Sequence, residues 1–576
     1  MERNTLLAIV LSILVMIGWF LLFPPPQPQA PQNQPAPAGT AEVGLPQAVA
    51  TPVVGVLPAP AAAQRPLNPE ARHLSVDTPF LHVVLTTQGA RLLEWKLKTH
   101  KDPTGALVDL VSTDARQIGQ LPLEVFTGTA ALDEELNTAS YQTRTDAVEI
   151  QPGGEPVTVS FAYTANSGVT FTKELTFWPD SYKVDATLKF SEPVPAGKSL
   201  SVTWGPGMGT NLGANSQLAP EVVTKPGSTV KLTREPVKKI TEAITHANIE
   251  WAAISNSYFT AALFPAAPQN SLTLHEIALP PQADGKTREP LQQLWVGLTQ
   301  PLTGGACQFT LYAGPKERLK LAAAHPGFEQ LIDYGFFWFI AEPLATFMSY
   351  LYLKLAGMAI PSFLKSYGIV IICLTVVIKI LFYPLTYKSF KSMKKMQDLQ
   401  PKMKVIREKF KDRQQQQQET MKLYKEEKVN PMGGCLPMVL QIPVFFALYQ
   451  TLAQSIELRG AAFLWIQDLS GPEPALLPLL KPLVLLMGVS MFLQQSMTPT
   501  TGDPRQAQLF KLMPIIFTAM FWNFPAGLVL YWLTNNVLTI GQQYLINKGG
   551  LKPAPTKAQA AAETPSLSRK RRKKGN

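Results

Sequence analysis

Lys379 is the residue whose chemistry stands out first. It lies inside residues 363–387, an otherwise apolar stretch. A lysine near the centre of a transmembrane helix costs about 2.5–3.5 kcal/mol on insertion scales, so a charge retained there usually faces a bundle interior or a water-filled cavity. The bland alternative is snorkelling, with the ammonium stretched out to the headgroups. Thr375 stands four residues earlier and shares a helical face with Lys379. Later apolar stretches carry further polar residues: Gln441 and Gln450, then Ser490, Gln494 and Gln495, then Asn535, Asn536 and Gln542, with Trp532 three residues before Asn535. Any one of these is explained as a hydrogen bond between helices. Taken together, and with a cation added, they predict a hydrophilic cavity within the membrane.

Other chemistries find no footing. The six histidines, His73, His82, His100, His246, His275 and His325, are scattered and form no HxxxH pattern. The three cysteines, Cys307, Cys373 and Cys435, are far apart and odd in number, which suits neither a disulfide framework nor a metal site. Nucleophile-elbow, Walker A and dinucleotide motifs are absent from the sequence. These residues give no sign of a metal, a cofactor or ATP use. An enzyme reading would put sugar chemistry in residues 65–325 and needs acid and base residues convergent in a pocket.

The elements that would position these residues follow from charge and hydropathy. The chain has 576 residues, 46% hydrophobic and only 16% charged, with a net charge of +11. Soluble domains average about 25% charged residues. Residues 388–428 carry 13 basic and 6 acidic side chains, and residues 548–576 carry 9 and 1, which leaves the remainder at −4. Both basic segments follow apolar runs, as cytoplasmic segments do. Residues 1–23 read as an uncleaved N-terminal transmembrane anchor with its N-terminus inside, and residues 24–64, with 11 prolines, as a linker. Residues 65–325 alternate in the manner of strands, at Val157 to Tyr163, Val169 to Phe177, Tyr182 to Phe190 and Gln308 to Tyr312, and predict a β-sandwich outside the cytoplasm.

Residues 326–360, rich in aromatics, are expected to form an interfacial amphipathic helix. Transmembrane helices 2 to 6 are expected over 361–388, 431–455, 477–497, 508–525 and 526–547. A cytoplasmic helical hairpin is expected over 389–430, with the helix broken or kinked at Pro401 and the glutamine run 414–418 near the hairpin's tip. The remaining segments are an outer loop at 456–476, an inner loop at 498–507 and a basic disordered tail at 548–576. Six crossings place both termini and every strongly basic segment on one side.

Several long segments carry a resemblance: FYPLTYKSFKSMKKMQDLQPKM (382–403), EEKVNPMGGCLPMVLQIPVFFALYQ (426–450), FLWIQDLSGPEP (463–474), QQSMTPTTGDP (494–504) and MPIIFTAMFWNFPAGLVLYWLTNN (513–536). In this order they resemble the YidC membrane protein insertase family, and the overall plan is similar to its Gram-negative members. The resemblance implies a polytopic α-helical protein of the bacterial inner membrane, with six transmembrane helices, five of them an insertase core, and a periplasmic all-β supersandwich. It implies insertion and assisted folding of nascent inner-membrane proteins, alone or with the Sec translocon, through a hydrophilic groove that is open to the cytoplasm and to lipid and closed on the outer side. It implies a protein that is not an enzyme. The groove residues it implies here are Lys379, Thr375 and Trp532, and the polar residues Gln441, Gln495 and Asn535 are expected to line the same cavity. Lys379 stands where the family usually has an arginine, and Trp532 where it often has a tyrosine. The resemblance also implies a hairpin, with Lys394, Lys395, Lys402, Lys404 and Arg407, that meets ribosome or signal-recognition machinery. Anionic lipids are expected partners of the basic segments. The competing reading is a transporter or channel, which would show repeated halves; the sequence has none.

Overall fold

The computed structural model describes residues 65–548, apart from 103, 193–197, 210–220, 227–231, 237–239, 241–242, 267–269, 279–291, 411, 428, 430–435, 476–479 and 498–503. The expected anchor at 1–23, linker at 24–64 and tail beyond 548 lie outside the described residues. The chain divides into two compact units, one of strands and one of helices.

The β unit is built on a nine-stranded sheet. From edge to edge it runs Thr233–Pro236, Glu221–Pro226, Ile249–Ser255, Phe259–Pro265, Ala306–Pro315, Lys183–Phe190, Thr170–Phe177, Val157–Thr164 and Gln142–Thr143. Two five-stranded sheets accompany it. One contains Arg91–Lys101, Leu81–Thr86 and His73–Asp77, and the other Ser271–Ala278, Gln292–Pro301 and Ser199–Trp204. The period of two drives this arrangement. In Thr170–Phe177 the side chains of Phe171, Lys173, Leu175 and Phe177 are buried, and the four between them are half-exposed. Trp95 joins all three sheets. It comes from the first five-stranded sheet, its indole donates to the Ala313 carbonyl of the nine-stranded sheet at 2.9 Å, and its ring meets Trp204 of the other five-stranded sheet edge-on at 6.3 Å. A fully buried side chain of this size contributes about 1.5–3 kcal/mol.

The expectation of an all-β domain needs a correction to mostly β. Helices Thr113–Ile118, Ala130–Thr138 and Arg318–Ala324 are interleaved with the strands. The helix expected over 326–360 also begins late. Phe328 and Leu331, in a 3-10 turn, are fully buried in the β core, and the helix itself starts at Trp338. Residues 450–459 group with this unit as well: Ile456 enters its core, and the Arg459 guanidinium lies over the Tyr258 and Phe259 rings at 5.7 and 5.3 Å.

The helical unit comprises α1 (Trp338–Gly357), α2 (Tyr367–Asp398), α3 (Gln400–Lys409), α4 (Arg413–Glu426), α5 (Leu436–Gln454), α6 (Pro482–Met497), α7 (Pro504–Met520) and α8 (Ala526–Lys548). The opening residue of α1 and the last turn of α5 belong to the β unit. α2 starts at Ser366, whose hydroxyl accepts from the Ile369 amide. It runs unbroken for 32 residues and stops at Leu399, two residues ahead of Pro401, which occupies the first turn of α3. Met396, Leu399, Met403, Tyr424 and Val429 form a small core where α2, α3 and α4 meet, and Tyr424 donates to the Met403 sulfur at 3.0 Å.

The crossings are less uniform than the sequence predicts. Among the described residues, α2 is the one helix long and apolar enough to span a bilayer unaided, while α6 and Leu512–Asn523 are shorter apolar helices. Within the apolar stretch at 477–497, α6 has 16 residues, Pro482–Met497, or roughly 24 Å. A typical hydrocarbon core is about 30 Å thick.

Candidate functional site

α8 is the hub of the polar residues. Its residues Asn535 and Thr539, four apart, share one face, and Asn536 lies about 100° further round. α8 packs against α2 and against α6. Lys379 reaches from α2 and donates to the Thr539 hydroxyl oxygen at 2.7 Å. Thr539 in turn donates to the Asn535 carbonyl at 2.6 Å, and the Asn535 side-chain oxygen accepts from Gln441 of α5 at 2.9 Å. On the adjoining face, Asn536 donates to Ser490 of α6 at 2.9 Å, and Ser490 donates back to the Met487 carbonyl. Four helices are thus joined by side-chain hydrogen bonds, which inside a bilayer are typically worth about 0.6–2 kcal/mol each.

The structure brings three of the predicted residues together and places the other three apart from them. Lys379, Gln441 and Asn535 come together in one hydrogen-bonded chain. Thr375 is buried on the same helix as Lys379, with its hydroxyl turned back to the Ile371 carbonyl at 2.6 Å. Trp532 lies in an aromatic cluster, with its ring 5.0 Å from Phe445, 5.2 Å from Phe521 and 5.9 Å from Phe517. Gln495 is half-buried in the last turn of α6, beyond Ser490.

Thr539 is absent from the sequence reading although it holds the lysine. The signal available was its spacing of four from Asn535. A threonine within a helix is common, however, and its partner comes from 160 residues away.

The charge itself is the unusual feature. An ammonium has three donors. Lys379 gives one to a neutral hydroxyl and, among the described residues, makes no ion pair. Exposed apolar side chains flank it on the other face of α2, at Val377, Ile380 and Leu381. The arrangement is a half-buried cation on an apolar helix, hydrogen-bonded on one side and open to a further acceptor.

The basic residues expected in a hairpin divide between two helices. Lys394 and Lys395 belong to the end of α2, and Lys402, Lys404 and Arg407 to α3. Lys402 pairs with Glu427 at 2.5 Å, and Lys395, Lys402, Lys404 and Arg407 are exposed. The glutamine run lies in the first turns of α4, and Gln416 donates to the Phe410 carbonyl across the turn.

Comparison with known proteins gives a consistent result. The family model described as 60Kd inner membrane protein matches residues 359–553, and the one described as YidC periplasmic domain matches residues 73–347. A protein of Geobacter metallireducens named membrane protein insertase YidC is 36% identical over 559 residues, which is 95% of this chain and 98% of that one. Its namesake in Geobacter sulfurreducens is 38% identical over 563 residues, again 95% and 98%. Among solved structures, an active YidC insertase with the first transmembrane domain resolved aligns with 82% of this chain and 92% of its own, at 18% identity and a TM-score of 0.36.

Proposed function

The chain belongs to the YidC family of membrane protein insertases, and from that premise we propose that Lys379 is the charge with which it draws polar segments of a nascent inner-membrane protein into the bilayer. One observation carries the reading: Lys379 is half-buried on an apolar helix, with a neutral hydroxyl as its partner and no carboxylate paired to it among the described residues. A translocated segment with carboxylates would supply the missing anion. Water and one positive charge partway through the membrane shorten the low-dielectric path that segment must cross. The membrane potential, about 2.3 kcal/mol per charge per 100 mV, pulls negative charge outward. The substrate's apolar helix then partitions into lipid, with about 0.8 kcal/mol gained per buried CH₂.

The remaining parts take their places around this step. Gln441, Asn535 and Gln495 give the groove its polar lining, Thr375 fixes the face of α2, and Trp532 offers an aromatic surface to the passing helix. The shortness of α6 favours a locally thinned bilayer beside it, which shortens the path further. Six crossings, with both termini in the cytoplasm and the β unit in the periplasm, place Lys394, Lys395, Lys402, Lys404 and Arg407 where a ribosome or signal-recognition machinery would meet them. The Sec translocon and anionic lipids complete the proposed partners.

The test is site-specific photocrosslinking from positions 441 and 532 to a ribosome-bound nascent membrane protein. Crosslinks that form while the transmembrane segment is emerging support the groove. Crosslinks confined to positions on the lipid-exposed face of α2, such as 380, would refute it.

A further inference from the structure

Outside the polar cluster, and among the described residues, the helical unit buries one carboxylate that the proposed function does not use. Glu473, in the loop before α6, is 2% exposed. Its Oε1 accepts from the Leu483 amide at 2.9 Å and from the Trp465 indole at 2.7 Å, and its Oε2 accepts from the Val484 amide at 3.1 Å. Leu483 and Val484 lie in the first turn of α6, where amides have no partner within the helix and the dipole favours an anion. Among the described residues Glu473 makes no ion pair. Its charge is held by donors and by the helix end alone.

The same loop reaches two more helix ends. The Leu469 and Gly471 carbonyls accept from the Gly527 and Ala526 amides at 2.9 and 2.7 Å, at the start of α8. Phe463 lies on the first turn of α2 so closely that a Cβ on Gly368 would come within 2.2 Å of its ring. Lys481, also buried, donates to the Trp522 carbonyl at 2.6 Å just before α8. The loop is drawn tight: Phe463 and Ile466 exchange backbone hydrogen bonds at 2.8 and 3.0 Å, and Leu464 between them has a φ of 54°. A leucine in this left-handed region is strained. The Trp465 indole bound to Glu473 holds the turn in place.

The three helices gathered here are those that carry Lys379, Ser490 and the Asn535–Asn536–Thr539 face. We propose that Glu473 is a positioning residue that clasps the N-terminal ends of α2, α6 and α8, and so fixes Lys379 against Thr539 and Asn536 against Ser490. The functional half of this proposal rests on the insertase reading; the structural half does not. Glu473→Gln keeps one acceptor oxygen and turns an NH₂ toward the Val484 amide, Glu473→Ala removes both oxygens, and Glu473→Asp keeps the charge on a shorter arm.

The test is amide hydrogen exchange on the full-length protein in lipid nanodiscs, paired with insertion of a single-span test protein in an insertase-depleted strain. The expected result is exchange at least tenfold faster in both 481–486 and 524–530 for Ala and Gln, partly restored by Asp, with β-unit peptides unchanged and insertion falling several-fold in the same order. Faster exchange at 481–486 alone would reduce Glu473 to a cap on α6 and overturn the clasp. Faster exchange at both sites with insertion at the wild-type rate would overturn its link to the polar cluster. Failure of the wild-type protein to insert the test protein would count against the insertase reading, and the exchange result would still decide the clasp.

Discussion

Among the lysines that the two units take largely out of water, Lys173 and Lys379 are treated in opposite ways. Lys173, in the β unit, is fully buried, and its ammonium meets the carbonyls of Gly89 at 2.7 Å, Leu123 at 2.8 Å and Ala90 at 3.4 Å. Nearby, Glu124 pairs with Arg91 at 2.8 Å and with Arg65 at 3.1 Å. Burial, and then the Arg91 charge, lower the Lys173 ammonium to about 7. Lys379, in the helical unit, has a single neutral hydroxyl. A buried ion with its partners supplied belongs to the architecture, because removing a partner leaves costly unpaired groups. A half-buried ion with an unfilled partner is a cost that a protein retains for another molecule. The comparison predicts that the β-unit charges govern stability and that Lys379 governs transport.

The comparison can be broken by substitution. Glu124→Gln leaves the buried Arg91 guanidinium without its carboxylate and Arg65 with Glu134 alone, and should destabilise the β unit by about 3–5 kcal/mol, read as a large drop in its thermal unfolding midpoint in the full-length protein. A change below about 1 kcal/mol would mean that the polar knot does not hold the unit. Lys173→Met strands the carbonyls of Gly89 and Leu123 and should cost about 2–4 kcal/mol by the same measurement. A neutral or stabilising result would move Lys173 out of the structural class.

The next effect is smaller and depends on pH. Burial, and secondarily the Arg459 charge, hold the His100 imidazole down at about 4. The unfolded chain takes up that proton near 6.5 and the folded one only near 4, so stability falls as pH drops through this window. The unfolding midpoint should decline between pH 7 and pH 5, and His100→Leu should flatten that decline. An unchanged slope in the variant would assign the pH dependence to other groups. The smallest stability effect belongs to Lys379→Met, which should shift the unfolding midpoint of the helical unit by the equivalent of about 1 kcal/mol or less, since one interhelical hydrogen bond is lost. A loss of several kcal/mol would make Lys379 an architectural residue like Lys173.

The legibility of these features follows physical lines. The alternating strands were readable because a period of two is local. The segment Val169 to Phe177 even places Lys173 at an inward position of an unbroken alternation, among Phe171, Leu175 and Phe177. Its partners were not readable, because Gly89 and Leu123 lie 84 and 50 residues away. Lys379 was conspicuous as a charge in an apolar run, and Asn535 and Gln441 as amides in others. Thr539 was missed because its role arises only when α2 and α8 pack. Glu473 was hidden for a similar reason: in sequence it is an ordinary acid in a loop, and its importance comes from the Leu483 and Val484 amides that the fold brings to it. The late start of α1 was missed because the aromatic content of 326–360 does not reveal that Phe328 is claimed by the β core.

The most direct measurement of the central claim is the insertion rate of a single-span protein with an acidic translocated segment, in an insertase-depleted strain supplied with wild-type, Lys379→Arg or Lys379→Met protein. A matched substrate with that segment neutralised serves as the reference. The account predicts that Lys379→Met slows the acidic substrate about tenfold, the equivalent of ~1.4 kcal/mol, that Lys379→Arg retains most of the rate, and that the neutral substrate is little affected by either. Insertion of the acidic substrate at the wild-type rate by Lys379→Met would contradict it.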